Sequence, residues 1–126
     1  MLREDLLNAV AVYFDAIYFC DTDKLDQVFH PESSLFDADQ GRVFVDPIAS
    51  FRKDVSTRPS PASVNQVRKD EILLIDCLSE RSALVKLRLR AHRNVFVDHL
   101  NFVLDHDDQW KIVAKVWHLE RVVDAE

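Results

Sequence analysis

The sequence predicts an α+β domain in which helices at the start of the chain cover a curved antiparallel sheet built from its second half. Three observations carry this expectation. Apolar residues recur at intervals of three and four over residues 3–20; from Val67 onward Val, Ile, Leu and Phe dominate; and short polar breaks divide that stretch at Ser79-Glu80-Arg81, Arg93-Asn94 and Asp105 to Asp108. Strands joined by short turns pair antiparallel, and helices that precede them gather on one face.

Leu6, Leu7, Val10, Tyr13, Phe14, Ile17 and Tyr18 form the apolar stripe of a helix running from about Arg3 to Cys20. Asp21-Thr22-Asp23 offers capping oxygens and a first-turn carboxylate for a second helix carrying Leu25, Val28 and Phe29. His30-Pro31 ends it, because the residue before proline disfavours the α region. Ser34 to Ala38 and Arg42 to Val45 are expected to be short strands around Asp39-Gln40-Gly41, where glycine supplies a positive φ. Asp46-Pro47 has the form of an N-cap followed by proline at the first helical position, opening a third helix with Ile48, Phe51 and Val55 on one face. Ser56 to Ser63, holding Pro59 and Pro61, is linker-like but too short to separate domains.

Size and composition narrow the function. The 126 residues and 48% hydrophobic content fit one domain over residues 1–126 with a core of its own. With 16 Lys+Arg against 22 Asp+Glu, a nucleic acid or an anionic membrane is not the expected partner. No run approaches the roughly 20 apolar residues of a membrane span, and the first residues lack the basic-then-apolar plan of a secretory signal, so the cytoplasm is the expected compartment. Cys20 and Cys77 fall within apolar patterns and are expected as packed, reduced thiols. A single glycine excludes glycine-rich phosphate loops, whose backbone must approach phosphate without a Cβ. The five histidines show no zinc-type spacing, and neither a metal nor a cofactor is expected.

The late strands divide into faces. Over Leu84 to His92, Val85, Leu87, Leu89 and Ala91 alternate with Lys86, Arg88, Arg90 and His92, which puts one face on the core and leaves a basic face to pair with acidic neighbours. Phe96, Leu100, Phe102 and Leu104 share a face with Asp98; Trp110, Ile112, Ala114 and Val116 likewise form one face and Val113 and Trp117 the other. Two apolar faces need two covers, so a homodimer is expected, with Val113, Trp117 and Leu119 in its contact.

The string Val97-Asp98-His99-Leu100, continued by Trp110 to Trp117 and joined to Phe29-His30-Pro31-Glu32, resembles the NTF2-like superfamily and is similar to its putative lumazine-binding branch. The resemblance implies a cone: helices packed on a curved sheet around a pocket. Tyr13, Asp37 and the Asp98-His99-Leu100 strand also occupy places similar to those of ketosteroid isomerases. That likeness implies Asp37 as a base and Tyr13 with a protonated Asp98 as oxyanion donors, Lys115 and Arg88 lying on the opposite face from Asp98. Phe36, Phe51, Phe96 and Trp110 are the expected pocket walls beside these three. The plainer alternatives are Tyr13 as helix core, Asp37 as a turn residue and Asp98 as a structural carboxylate. Three functions follow: a protein binding a small apolar or aromatic molecule, a cofactor-free isomerase, cyclase or dehydratase, or a structural dimerisation module.

Overall fold

The computed structural model describes residues 2–124, without the Leu2 side chain. Helix α1 (Leu2–Phe19) is followed by α2 (Thr22–Val28), strands β1 (Phe29–Asp37) and β2 (Phe44–Pro47), helix α3 (Ile48–Thr57), a 3-10 turn (Ala62–Val64) and strands β3 (Asp70–Ser79), β4 (Ser82–Ala91), β5 (Asn94–Leu104) and β6 (Trp110–Val122). The strands form one curved sheet in the order β2-β1-β6-β5-β4-β3, antiparallel throughout except where β1 runs parallel to β6. Helices first and a curved sheet afterwards is the predicted architecture. No helix among the described residues is long and apolar enough to cross a membrane.

The local chemistry explains most element ends. The Asp21 carboxylate accepts hydrogen bonds from the backbone N–H groups of Asp23 and Lys24, two donors that the first turn of α2 leaves unpaired. That helix stops at Val28, so Phe29 opens β1 rather than closing α2. Gly41 holds φ +87 in the link between β1 and β2. The Asp46-Pro47 pair departs from expectation: Pro47, not Asp46, stands at the N-cap of α3, and no side chain caps it. Asp46 belongs to β2, opposite Leu35, and is buried. β-Strand pairing has captured a residue whose short-range signal favoured a cap.

The core lies between α1, α2 and the inner face of β1, β4, β5 and β6; Leu6, Val10, Leu25, Leu35, Leu87, Leu100 and Ile112 are wholly or almost wholly buried there. Strand β3 is an edge, and Leu73, Leu74, Leu78 and Cys77 are exposed along it. Cys20 is half-buried and Cys77 exposed, so only the first approaches the packed thiol expected. The basic face of β4 is solvated as predicted: Arg88 bridges Glu71 at 2.7 Å and Glu120 at 2.9 Å. Exposed pairs of this kind are screened and add little. Arg88→Ala should therefore leave the thermal midpoint unchanged in circular dichroism; a clear fall would show the pairs acting as a network.

One irregularity decides what faces the inside. Asn101 pairs with Ala114 but Phe102 pairs with Ile112, which leaves Val113 as a β-bulge on β6. A bulge inserts one residue and reverses the alternation beyond it. Trp110 and Ile112 face the core as expected; past the bulge Lys115 is buried and Val116 is exposed. The expectation that Lys115 lies on the face opposite Asp98 is thereby overturned. The expected dimer contact also changes, because the Trp117 indole packs within its own chain, edge-on to Phe44 with 6.1 Å between ring centroids.

Candidate functional site

The row of inward positions across the sheet runs Asp46, Leu35, Lys115, Leu100, Val85. Asp98 lies two residues from Leu100 on β5, diagonal to Lys115, a separation that a long side chain spans. Lys115 Nζ stands 3.8 Å from Asp98 Oδ2, an ion-pair distance longer than a hydrogen bond. Tyr13, presented by the apolar stripe of α1, donates its hydroxyl proton to the same oxygen at 2.5 Å. Tyr13 is 0%, Asp98 1% and Lys115 7% exposed, so three ionisable groups meet where water is nearly excluded. Asp98 Oδ1 is buried and has no hydrogen-bond partner among the described residues.

These three groups form the floor of a cavity of about 250 Å³. Phe51, Phe96 and Trp117 wall it, Asp46 stands on the side, and the exposed Phe44, Asp54 and Arg58 ring its mouth. The Lys115 ammonium sits 4.8 Å from the Phe51 ring centroid, 5.4 Å from Tyr13 and 5.9 Å from Trp117, within cation–π range of all three. Burial pushes the Lys115 pKa down, and the like charge of Arg58 adds to this against the pull of Asp98 and Asp46. Burial pushes the Tyr13 pKa well up, and the neighbouring Asp98 charge adds to it. The floor thus holds a buried carboxylate oxygen without a donor and, 3.8 Å from the other oxygen of that group, a lysine amine, both on residues that line a space walled by aromatic rings.

Residues 2–118 match the family described as "Putative lumazine-binding". The chain belongs to that family. This family member also has the NTF2-like fold: it is similar, at TM-score 0.80 and 19% identity over 93% of this chain and 94% of the other, to an NTF2-like protein of unknown function from Silicibacter pomeroyi. A second such protein, from Shewanella baltica, superposes at TM-score 0.81 with 17% identity over 92% and 91% of the two chains. A ketosteroid isomerase-like protein from Erwinia carotovora atroseptica superposes at 0.64, with 11% identity over 87% and 89%. Identities this low speak to the fold alone. No curated protein matches the chain.

In this member of the family the expected site residues part company. Tyr13 and Asp98 meet directly, and Phe51 and Phe96 join them in the cavity. Asp37 does not line it: half-buried at the end of β1, it accepts the Asp39 N–H in the following turn. Phe36 pairs with Val45 and with the exposed Val116, on the outer side of the sheet. Trp110 lines a different, polar cavity near the N-terminal part of α1, beside Asp5 and Asn8. Sequence reasoning missed Lys115, Asp46 and Trp117. The signal for Lys115 and Trp117 was their shared phase: both belong to one face once the strand is allowed a bulge.

Two predictions attach to the floor. Tyr13→Phe keeps the ring but removes the hydrogen bond that Asp98 Oδ2 accepts from the hydroxyl, which should cost about 1–3 kcal/mol in urea denaturation; a neutral result would place the carboxylate in contact with water. The second concerns pH. The folded pKa of Lys115 lies below its ordinary 10.5, so the unfolded chain holds that proton longer and this group's contribution to stability rises as the pH climbs toward 10.5. The folded pKa of Tyr13 lies above 10.0, so its contribution is present below pH 10 and lost above it. Wild type should gain on Lys115→Met in thermal midpoint over the pH window just below 10. A constant gap across that window would mean Lys115 is not desolvated.

Proposed function

We propose that this protein binds a small, flat molecule, apolar over most of its surface, with a carbonyl or oxyanion and a neighbouring donor on one edge. The observation that supports this reading is the unpartnered Asp98 Oδ1 beside Lys115 on the floor of an aromatic-walled cavity. A buried acceptor without a donor costs roughly 1–3 kcal/mol, more when charged, a penalty that a ligand N–H or O–H removes. Lys115 offers the complementary donor, while Phe51, Phe96 and Trp117 offer flat apolar surface. An N–H next to a C=O on a fused ring satisfies both groups. Lumazine, the compound in the family's description, carries that edge and is the first probe. Calorimetric titration of lumazine should give saturable binding, weakened at least about tenfold in Lys115→Met. If neither lumazine nor the simpler phenolate of 2-naphthol binds, the reading fails.

The enzymatic reading, a cofactor-free isomerase, cyclase or dehydratase, is favoured by one observation: Asp46 stands on the cavity wall facing the Tyr13–Asp98 pair. In that reading Asp46 takes the base role expected of Asp37. Asp46→Asn would abolish turnover in an enzyme and leave binding nearly intact in a carrier, whereas Asp37→Asn would change neither. We further infer a homodimer through the outer face of the sheet, where Val97 and the exposed Val116 replace Trp117 and Val113 in the expected contact. The free Cys20 and Cys77 fit a reducing compartment such as the cytoplasm.

A further inference from the structure

We propose that Lys115 is a nucleophilic amine that condenses with an aldehyde or ketone held in the cavity, forming an imine. This rests on the pocket reading above and narrows its head group, since the resonance-stabilised carbonyls of lumazine do not condense. An amine that forms imines must be partly neutral, must reach a bound carbonyl and needs a group nearby to move protons. Lys115 has the geometry for this, and its burial favours the neutral form. Its Nζ lies on the cavity floor among three aromatic rings, 3.8 Å from a carboxylate oxygen already engaged by Tyr13. The other carboxylate oxygen, Oδ1, has no partner. Burial and the Arg58 charge shift the amine toward its neutral form.

The step balances without an added reagent. The nitrogen lone pair forms the C–N bond as the C=O π pair moves to oxygen; Asp98 takes a proton from nitrogen and returns it to that oxygen, giving a carbinolamine. The C–O bond then breaks as C=N forms, and the hydroxyl leaves as water with a second proton relayed by Asp98. Tyr13 acts as a positioning residue, fixing the carboxylate through its hydrogen bond. A purely structural lysine would have been better placed in water, because desolvation of this one outweighs its attraction to Asp98.

The test uses benzaldehyde with sodium cyanoborohydride, which reduces imines to stable secondary amines, followed by peptide mapping. Benzyl alcohol, which cannot condense, is titrated in parallel by calorimetry. The expected result is a single benzyl adduct on Lys115 at low reagent excess, ahead of the exposed Lys53 and Lys69. Lys115→Met should lose that adduct while keeping a cooperative melt. The rate at Lys115 should reach half its maximum below the ordinary lysine pKa of 10.5. The titratable groups facing Lys115, Tyr13 from α1, Asp46 from β2, Asp54 from α3, Arg58 after it and Asp98 from β5, set that midpoint. Benzyl alcohol binding with adducts only on surface lysines would overturn the imine and leave the pocket standing; no binding and no Lys115 adduct would overturn both.

Discussion

Replacing Lys115 with methionine should cost about 3–5 kcal/mol at neutral pH, because it strands the Asp98 carboxylate in a site that is 1% exposed. Methionine is close to lysine in length and fills the same space among Tyr13, Phe51 and Trp117, so packing is not what is lost. What is lost is the positive partner of a buried anion, leaving one hydrogen bond from Tyr13 to hold it. Asp98→Asn should cost less. The amide oxygen still accepts from Tyr13, and the stranded lysine, already pushed toward its neutral form, releases its proton. The double variant Lys115→Met with Asp98→Asn should return to wild-type stability or exceed it, since removing a whole buried pair is commonly neutral or stabilising. Urea denaturation of the four proteins closes the cycle. Against a typical total of about 5–15 kcal/mol the single loss is large. If the double variant stayed as destabilised as Lys115→Met, the pair would be a stabilising device and its case as a ligand site would fall.

That cycle also states why the floor reads as functional. Desolvation depresses the lysine despite a carboxylate at 3.8 Å, so the fold bears a cost that apolar residues in place of both Lys115 and Asp98 would avoid. Such costs concentrate at sites where a ligand or a reaction repays them.

The sequence carried the architecture because each element repeats its signal. The α1 stripe presents Tyr13 inward, Asp21 caps α2 with the bonds expected of it, and the phase of Phe96, Leu100 and Phe102 brings Asp98 inside. Single residues at irregularities were another matter. Val113 reads as one more β-branched residue in a strand, and nothing in its own chemistry announces that two residues there face one on β5. Simple alternation therefore puts Lys115 and Trp117 on the wrong side. Asp46-Pro47 carries a helix-start signal that β2 pairing overrode, and Asp37 answers to the turn at Asp39 rather than to the cavity. In each case a long-range contact outweighed a local preference. The site was half legible: its Tyr13–Asp98 pair follows from periodicity, its Lys115 and Asp46 from sheet geometry.

The bulge itself is open to test by charge. Under simple alternation Ile112 and Val116 share a face and should respond alike; with Val113 bulged, Ile112 is 0% exposed and Val116 47%. Ile112→Glu removes a packed side chain, a loss of about 2–5 kcal/mol on its own, and adds a buried carboxyl with no partner. Together these approach the whole stability of a typical domain, so this variant should show no cooperative melt. Val116→Glu places its carboxylate in water on the outer face. It should keep a cooperative transition and, if the outer face is the homodimer contact, sediment as a folded monomer. The two variants differ by four positions in one strand, so propensity and composition hardly separate them. Equal unfolding of both would mean that Val116 faces the core, that Lys115 therefore does not, and that the Asp98 carboxylate has no lysine beside it on the cavity floor.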